Sequence, residues 1–440
     1  MVALMLGIII LAAGRGTRMH SAIPKVMHKV AGKPMLHHVL DVTSTLKPAQ
    51  TIVVASNDLL SYVGQQNADY IIQENPQGTG HAVQCALQHL KPHITDVIIL
   101  CGDTPLITQK SLHTLQRSTA DVCVLSMTLK GPDLLKPYGR LVLKDEIVTR
   151  IVEMKDATDN EKTLPYANAG IYKVSVKTLQ KTLPLLTNNN NSTEYYLTDI
   201  IALAHEQNNS ASYLKGETDE FFGVNSKVDL SCAEHIMQDR LRVHHMNSGA
   251  TLIDPKTVFF SMDTKVESDV IIHPFVTFGD TVTLKSGSII YQGCHLEHAT
   301  VHKGAKVGPF AHLRGDVELY EKAEVGNFVE IKKSTINKGA KIKHLSYIGD
   351  ATIGVKANVG AGVITCNYNG FTKSQTIIGD GAFVGSNSSL IAPVTIHNNS
   401  IVGAGSTITQ DVAENDLVFT RSTQTIKPKG AIKFKAKYNK

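Results

Sequence analysis

The chain has 440 residues, six cysteines and a formal net charge of +5. A single hydrophobic core stops growing beyond about 250 to 300 residues, so two domains are expected, and the small net charge argues against a nucleic-acid or membrane partner. The one dense lysine run lies at the C-terminal end and is expected to be a solvated tail: Lys427, Lys429, Lys433, Lys435, Lys437 and Lys440.

The first predicted element is the apolar run from Val2 to Ala13. No basic residue precedes it and it is too short to span a bilayer, so it is expected to be a buried strand and not a signal peptide. The cysteines include no CxxC pair, and no third ligand stands at a metal-binding spacing from the paired histidines (His37-His38, His89 and His93, His244-His245). These patterns predict a reduced, cytoplasmic protein with no metal at those histidines.

Up to about Val224, short apolar runs alternate with amphipathic stretches. The runs GIIILAAG, TIVVAS, DVIILCGD and ADVCVLSM are predicted strands, and PMLHHVLDV and HAVQCALQHL are predicted helices. This alternation is typical of a Rossmann-like α/β domain, in which a mostly parallel sheet is covered on both faces. Ligands bind at the carboxyl ends of such strands, which is where LAAGRG and LCGD fall.

A predicted helix, Ser226–His245, begins with the capping-box-like sequence SKVD and joins this half to a second half of different periodicity. There, apolar residues recur at every sixth position, which is the hexapeptide repeat of a parallel β-helix. The predicted inward residues are Val266, Ile272, Phe278, Leu284, Ile290, Leu296, Val307, Leu313, Leu319, Val325, Ile331, Ile378, Val384, Leu390, Ile396, Val402 and Ile408. The repeat breaks at Cys366–Gln375, where a loop is expected to leave the coil.

The motif GRGTRM follows the first predicted strand. It does not match the dinucleotide motif GxGxxG, because Met19 occupies the third glycine position, and no GK[ST] follows to make a Walker loop. A glycine turn that carries Arg15 and Arg18, with Lys25 close behind, is suited to a polyphosphate. For this motif taken alone, a tight turn with solvated basic side chains is an equal alternative.

The motifs of the first half together resemble the sugar nucleotidyltransferases. They are LAAGRGTRM, PKVMHKVAGKPM, QGTGHA, CGDTPL, YGR, IVEMKDAT, NAGIY, EYYLTD and GVNS. With HLSYIGDATIG and GAGVITCNYNG of the second half, the chain resembles the family of bifunctional N-acetylglucosamine-1-phosphate uridyltransferases and glucosamine-1-phosphate acetyltransferases. The resemblance runs nearly from end to end.

The resemblance implies a nucleotide and sugar site in the first half. The residues implied to contact uridine and phosphates are Leu11, Ala12, Ala13 and Gly14. The residues implied to neutralise the triphosphate are Arg15 and the catalytic pair Arg18 and Lys25. The uracil side is implied at Gln73, Gly78 and Thr79, with Cys101 and Gly102 beside the nucleotide. Mg²⁺ is implied at Asp103 and Asn225, and the sugar at Gly139, Glu153 and Asn168.

Asp103 ends the apolar strand VIILCGD, where a carboxylate is either a metal ligand or an N-cap. The implied reaction is in-line attack of a sugar 1-phosphate oxygen on the α-phosphorus of UTP, with release of pyrophosphate. It needs positioning and charge neutralisation but no side-chain nucleophile. Many relatives have an aromatic residue where Cys101 stands, and Cys101 is expected to be a small buried strand residue and not a reactive thiol.

Acetyl transfer to an amine requires a base, and His344 in KHLSYIGD is the candidate, since imidazole suits proton removal near neutral pH. A lone histidine in a repeat is more often structural, but the family resemblance favours the catalytic role. The resemblance also implies that Arg314 and Lys332 hold the sugar phosphate, with Tyr347 and Asn358 beside the sugar. Glu330 lies on the same strand face as Lys332 and is a weaker candidate for orienting the base.

The family's acetyl-CoA groove is implied at Ala361, Asn367, Tyr368, Ser386, Ala404 and Arg421. The residues alone allow other interpretations, because CNYNG is also a turn sequence and Arg421 could be a solvated tail residue. The family further implies a left-handed coil and a homotrimer with acetyltransferase sites at its interfaces. Periodicity alone does not give the left hand, since most parallel crossovers are right-handed.

We therefore expect a cytoplasmic enzyme that acetylates glucosamine-1-phosphate with acetyl-CoA and then joins the product to UTP, giving UDP-N-acetylglucosamine. The expected domains are residues 1–225 for uridylyl transfer, 226–247 for the linker helix and 248–440 for acetyl transfer and the basic tail. The alternatives are a single-activity nucleotidyltransferase with a regulatory or oligomerising β-helix, a non-enzymatic scaffold or translation-factor-like subunit, and a dehydrogenase. His344 together with ITCNYNG argues against the single-activity enzyme. The presence of Arg18, Lys25 and Asp103 argues against the scaffold, and Met19 argues against the dehydrogenase.

Overall fold

The computed structural model describes residues 5–64 and 66–438, apart from the side chains of Pro132 and Leu135. The chain divides into two compact units, the first ending at residue 239 and the second beginning at residue 240. Residues 2–4 of the predicted first strand and Lys440 of the lysine run lie outside the described residues. Within the described ranges, no helix is both long enough and apolar enough to cross a bilayer.

The first unit is built on one large sheet. The strands of this unit are β1 Leu6–Ala12, β2 Lys29–Val30, β3 Lys33–Pro34, β4 Gln50–Ala55, β5 Asp69–Ile72, β6 Asp96–Cys101, β7 Val122–Thr128, β8 Arg140–Lys144, β9 Ile147–Val152, β10 Tyr166–Ser175 and β11 Ala211–Gly216. The sheet follows the order β11-β7-β10-β6-β1-β4-β5, β8 joins it through β10, and β9 pairs with β8. Strands β2 and β3 form a separate antiparallel pair.

The sheet is mostly parallel at its centre. Strand β1 runs parallel to β4 and β6, whereas β10 runs antiparallel to both β6 and β7. Successive side chains of a strand point to opposite faces, so Ile8 and Ile10 enter one buried cluster and Ile9 the other. Burial on both faces explains the continuous apolar run in the sequence, and the predicted covered sheet is confirmed. The antiparallel strand β10 was not predicted.

The helices of the described residues include the three that the sequence predicted. They are α1 Met35–Ser44, α2 Asn57–Leu60, α3 Thr79–Leu87, α4 Gln109–Gln116, α5 Asp159–Lys162, α6 Val176–Thr182, α7 Ile200–Glu206, α8 Lys227–Asn247 and, near the C-terminal end, α9 Gly430–Tyr438. Helix α8 is the predicted joining helix. The Ser226 hydroxyl caps it by accepting from the Asp229 backbone N–H at 3.1 Å, and Asp229 Oδ2 accepts from the Asn225 backbone N–H at 3.0 Å.

The second unit is a coil with three faces, each a parallel sheet. Face one comprises Thr251–Leu252, Ile271–Ile272, Ile289–Ile290, Lys306–Val307, Glu324–Asn327, Lys341–His344, Asn358–Val359, Phe383–Val384, Ile401–Val402 and Leu417–Val418. Face two comprises Lys265–Val266, Val282–Leu284, Ala299–Val301, Val317–Leu319, Thr335–Ile336, Ala351–Ile353, Thr376–Ile378 and Val394–Ile396. Face three comprises Thr277–Phe278, His295–Leu296, His312–Arg314, Glu330–Lys332, Tyr347–Gly349, Ile364–Cys366, Ser389–Ile391 and Thr407–Ile408.

The hexapeptide repeat accounts for the core of this coil. All the predicted inward residues are buried except Val266, in the first strand of face two, which is half-buried. The predicted interruption is a loop between Cys366, which ends a strand of face three, and Thr376, which begins one of face two; at its tip Phe371 is 94% exposed. The predicted fold class, an α/β nucleotidyltransferase unit followed by a left-handed parallel β-helix, is confirmed.

Candidate functional site

A cleft of about 370 Å³ opens where strands β1 and β6 end. The two strand ends are joined directly, since the Gly102 backbone N–H donates to the Leu11 carbonyl at 2.9 Å. The cleft gathers most of the residues implied for the nucleotide: Leu11, Ala12, Ala13, Gly14, Arg15, Lys25, Gln73, Gly78, Thr79, Cys101 and Asp103. Sequence reasoning gave no role to four other lining residues, Val26, Pro76, Ala82 and Glu194, although three of them lie within the quoted motifs.

Asp103 and Asn225 meet at one cation inside this cleft. The Lys25 ammonium donates to Asp103 Oδ2 and lies 3.1 Å from Asn225 Oδ1. A backbone hydrogen bond of 3.0 Å from Val224 to the Asp103 carbonyl brings the two segments together. A carboxylate and an amide oxygen that converge on one positive charge are the donor types that Mg²⁺ prefers, so the residues present fit a divalent ion.

The turn after β1 depends on a glycine beside Lys25. Gly16 has φ of +60°, and a Cβ at this position would lie 2.6 Å from the Lys25 Cβ. A side chain at residue 16 would therefore push Lys25 away from the carboxylate and the amide oxygen that hold it. Arg15 lines the cleft, whereas Arg18 is exposed on the short helical turn Thr17–Met19 and is not among the lining residues.

The expected uracil side is a tightly packed corner. The Gln73 side chain is 5% exposed, and its Nε2 lies 3.0 Å from His81 Nδ1 and 3.4 Å from the Gly78 carbonyl. Gly78 has φ of +108°, and a Cβ there would lie 2.6 Å from the Tyr195 carbonyl oxygen. Thr79 begins helix α3 and accepts a hydrogen bond of 3.1 Å from the Leu197 backbone N–H. The start of α3 is thus fixed against the segment that includes residues 195–197.

The three residues implied for the sugar lie together. The Asn168 backbone N–H donates to the Gly139 carbonyl at 2.9 Å, and a Cβ at Gly139 would lie 3.4 Å from the Glu153 carboxylate. The Asn168 amide donates to the Tyr172 hydroxyl at 2.7 Å, across a register shift in the pairing of β10 with β7. Asn168 still pairs with Ser126, and the irregularity begins directly after it, as bulges beside active sites commonly do.

The environment of Glu153 favours a protonated carboxyl group. Burial, together with the negative charges of Asp199 and Asp156, raises the pKa of Glu153, and a hydrogen bond from Thr198 opposes that shift. Beside it, burial and the charge of Glu153 raise the pKa of Tyr172 well above its ordinary value. Groups in such a site are suited to hydrogen bonding with sugar hydroxyls and not to binding a second anion.

Cys101 is the last residue of β6 and lines the cleft. Burial, together with the negative charge of Asp103, raises the pKa of its thiol to about 12. The thiol therefore stays protonated at neutral pH and is a poor nucleophile. This agrees with the interpretation of Cys101 as a small strand residue.

The second unit carries a cluster of charged side chains on face three. Arg314 and Lys332 are paired across neighbouring strands, so their side chains emerge on the same side. Arg314 Nε and Nη2 both donate to Glu330 Oε1, at 2.8 Å and 2.5 Å. Glu330 therefore holds the arginine, and the guanidinium retains donors for an anion.

A third cation that sequence reasoning missed lies beside this pair. The positive charge of Lys373, followed by that of Arg314, lowers the pKa of Lys332. Lys373 belongs to the loop that interrupts the repeat, where it pairs with Tyr368. The break in the repeat predicted this loop, but nothing in its sequence identified Lys373 as the lysine that reaches the cluster.

His344 ends a strand of face one and its side chain is exposed. Its Nδ1 lies 2.6 Å from Asn327 Oδ1, and the carboxylate proposed to orient it, Glu330, is bonded to Arg314. The expectation for Glu330 is corrected accordingly: its strand register pairs it with His312 and Tyr347, not with His344. Sequence reasoning missed Asn327, which lies 17 residues before His344 in the preceding coil.

The residues implied beside the sugar of the acetyl acceptor flank this region. A Cβ at Gly349 would lie 2.5 Å from the Tyr347 hydroxyl and 2.8 Å from the Asn367 amide nitrogen, so both side chains lie over the glycine. The Asn367 amide also donates to Asp350. Asn358 lies on face one, where it pairs with Lys341 of the strand that ends at His344.

Four residues implied for acetyl-CoA follow one another in successive coils. The Ala361 carbonyl accepts from the Asn387 backbone N–H at 2.8 Å, and the Ser386 carbonyl accepts from Gly405 at 2.8 Å. Arg421 donates to the Ala404 carbonyl at 3.3 Å. Tyr368 is instead 59% exposed in the interrupting loop.

Comparison with known proteins covers both units. Residues 8–141 match the family described as MobA-like NTP transferase domain. Residues 375–410 match the bacterial transferase hexapeptide family, with six repeats. The first match includes the glycine turn, Lys25 and Asp103, and the second includes the last coils of the β-helix.

Similar curated proteins extend over nearly the whole chain. "Bifunctional protein GlmU" of Paramagnetospirillum magneticum is 46% identical over 95% of this chain and 94% of that protein. The proteins of the same name from Zymomonas mobilis and Azorhizobium caulinodans are 43% and 41% identical over 98% and 96% of this chain, and over 98% and 95% of their own lengths. These identities over both units confirm the resemblance seen in the motifs, and the chain belongs to the family of bifunctional GlmU proteins.

Proposed function

We propose that this chain carries out the two reactions of UDP-N-acetylglucosamine synthesis at two separate sites. Residues 1–225 transfer uridylyl from UTP to N-acetylglucosamine-1-phosphate, and residues 248–440 transfer acetyl from acetyl-CoA to glucosamine-1-phosphate, with the linker helix at 226–247. Acetyl transfer comes first, because its product is the acceptor of the second reaction. The observation that carries the uridylyl assignment is the convergence of Asp103 and Asn225 on the Lys25 ammonium inside the cleft.

The cleft is suited to a transfer between phosphate groups that needs no covalent enzyme intermediate. Lys25 and Arg15 place positive charge where the triphosphate of UTP would lie, and Arg18 stands on the exposed turn beside them. A phosphate oxygen of the sugar substrate attacks the α-phosphorus, and the bond to the pyrophosphate leaving group breaks. The protein contributes by orienting both substrates and neutralising the charge that develops.

Asp103 and Asn225 would hold Mg²⁺. When bound, this ion supplies charge neutralisation at the phosphates, and its remaining coordination positions suit water and phosphate oxygens. The Lys25 ammonium that these two oxygens hold is then available to the phosphates as a second positive charge. Gly139, Glu153 and Asn168, which lie together, receive the sugar.

Acetyl transfer needs an anion site and a base. Arg314, Lys332 and Lys373 form a cluster of three cations suited to the phosphate of glucosamine-1-phosphate. His344 accepts the proton of the amine as the amine nitrogen bonds to the thioester carbonyl carbon. The carbon–sulfur bond then breaks, and the proton passes to the leaving thiolate. Acetyl-CoA is placed along the column that contains Ala361, Ser386, Ala404 and Arg421, with Asn367 and Tyr368 at its side.

We also propose a cytoplasmic homotrimer. The support for assembly is a set of exposed aromatic residues at the corners of the coil, where Phe310 and Phe328 are 50% and 56% exposed and stack on each other at 5.4 Å. Exposed apolar surface of this kind marks association sites. Sedimentation equilibrium of the full chain measures the number of copies, and a monomer would refute this part of the proposal.

Paired assays test the separation of the two sites. Pyrophosphate release is followed with UTP and N-acetylglucosamine-1-phosphate, and CoA release with acetyl-CoA and glucosamine-1-phosphate. We expect Asp103→Ala to abolish only the first activity and His344→Ala to abolish only the second. Loss of both activities in Asp103→Ala, or retention of acetyl transfer in His344→Ala, would overturn the assignment.

A further inference from the structure

A hydrogen bond joins the candidate base to the coil that precedes it. Asn327 Oδ1 lies 2.6 Å from His344 Nδ1. The two residues end the strands Glu324–Asn327 and Lys341–His344, and the register places them directly opposite each other. The other eight strands of face one have two residues each, so this contact depends on a local lengthening of the ladder.

The lengthened ladder requires a glycine before Asn327. A Cβ at Gly326 would lie 1.8 Å from the Lys343 carbonyl oxygen, so no other residue fits there without moving the strands apart. After the pair, the Leu345 backbone N–H donates to the Asn327 carbonyl at 3.0 Å. The backbone is thereby fixed both before and after the Asn327 side chain. Asn327 is half-buried, whereas His344 is exposed.

The chemistry of this contact determines which imidazole nitrogen is free. An amide oxygen only accepts hydrogen bonds, so the His344 nitrogen facing it carries the hydrogen, and Nε2 keeps its lone pair. We propose that Asn327 is a positioning residue that holds His344 in the tautomer with a free Nε2, aimed away from the coil for proton removal. This inference rests on the proposed role of His344 as the base of acetyl transfer.

A neutral partner has a specific advantage here. A carboxylate at the same position would also select this tautomer, but it would stabilise the imidazolium and so remove free base near neutral pH. The charged residues on the two strands are Glu324, Lys341 and Lys343, of which Lys343 pairs with Glu324. The neighbouring strand on the other side contributes the uncharged Asn358. Asn327 is therefore the side chain on these strands that contacts the ring, and it adds no charge.

Two variants separate orientation from charge. We expect Asn327→Ala to lower kcat for acetyl transfer about tenfold or more, with little change in KM, and by less than the loss in His344→Ala, since general bases contribute ~10²- to 10⁴-fold. Asn327→Asp is expected to leave the rate of acetyl transfer at high pH unchanged. It is expected to shift the acidic side of the pH profile of that rate upward by about one pH unit. Asn337→Ala, which removes a coil asparagine bonded to the Ile353 carbonyl, serves as the matched control. Uridylyl transfer in the same samples reports whether the chain has folded.

Tautomer populations give a readout that does not depend on activity. Nitrogen chemical shifts of ¹⁵N-histidine-labelled protein, assigned by comparison with His344→Ala, are expected to show Nδ1–H in the native chain and a mixture in Asn327→Ala. An Nε2–H tautomer in the native chain, or an unmoved pH profile in Asn327→Asp, would overturn the inference. Should Asn327→Ala fail to fold, the nearly isosteric Asn327→Asp decides alone. Retained acetyl transfer in His344→Ala would instead refute the proposed base itself.

Discussion

The Lys25 ammonium lies 3.1 Å from the Asn225 amide oxygen across 200 residues of sequence, and it donates to Asp103 at the same point. The side chains of Lys25 and Asp103 are only 13% and 15% exposed. One ammonium group thus contacts two oxygens from distant segments, one just after strand β6 and the other just before helix α8. In the proposed uridylyl transfer the same pair of oxygens would hold a divalent ion, which makes this contact the point where substitutions are most informative.

We expect Asp103→Asn to lower uridylyl transfer at least about 100-fold and to leave acetyl transfer unchanged, because the amide removes the negative charge that would hold Mg²⁺. The measurement is pyrophosphate release over a range of Mg²⁺ concentrations. Asp159→Asn is the control, since that side chain is 98% exposed and pairs only with Lys162 on the surface. Equal effects of the two substitutions would rule out a metal-binding role for Asp103.

Gly78 gives a steric test of the uracil corner. Gly78→Ala should lower the free energy of unfolding of the first unit by about 1 to 3 kcal/mol and raise the KM for UTP, because the new Cβ meets the Tyr195 carbonyl at 2.6 Å in a positive-φ conformation. Gly64→Ala also places an alanine at positive φ, +61° against +108° for Gly78, but with open space around the Cβ, so it is a control without the clash. Urea unfolding and UTP titrations measure both effects. An equal loss in the two variants would show that the clash with residue 195 has no influence.

Lys373 tests the anion site of the second unit. Lys373→Met should raise the KM for glucosamine-1-phosphate about tenfold with a small change in kcat, because the loop lysine adds charge to the Arg314 and Lys332 pair. Lys338→Met, an exposed lysine of another coil turn, is the matched control. Steady-state CoA release gives both constants. A change in kcat alone would place Lys373 in a different role.

Much of this architecture follows from local patterns in the sequence. The run around Ile9 predicted a strand buried on both faces because every residue is apolar, and the six-residue period around Val384 predicted the coil because one inward position per strand must be filled. Asp103 also lies at the predicted edge, since strand β6 ends beside β1. In each case the pattern reflects a constraint that acts on neighbouring residues.

Contacts between distant segments could not be predicted in this way. Lys25 bridges Asp103 and Asn225 through a short helical turn that has no periodic signal. The pairing of Asn327 with His344 depends on strand register, which a one-residue shift would destroy. The same reason explains the error for Glu330, whose spacing from Lys332 was correct but whose partner is set by the neighbouring coil.

A buried histidine near the end of helix α8 makes stability depend on pH. His245 is 4% exposed and packs on Phe260 with ring centroids 4.5 Å apart. Burial, together with the charge of His244, lowers the pKa of His245 to about 4. The unfolded chain therefore binds a proton at this residue below about pH 6.5, whereas the folded chain binds it only below about pH 4. The folded state therefore loses stability as the pH decreases through that window.

We expect acidification from pH 7 to pH 5 to cost about 2 kcal/mol of unfolding free energy through His245. His245→Phe should remove that part of the pH dependence, because an apolar ring fills the site without taking up a proton. His235→Phe is the control, since the His235 side chain is 70% exposed. Urea unfolding of the second unit at both pH values, followed by circular dichroism, measures the difference. If the native chain and His245→Phe lost stability equally on acidification, the pH dependence would have to come from other groups.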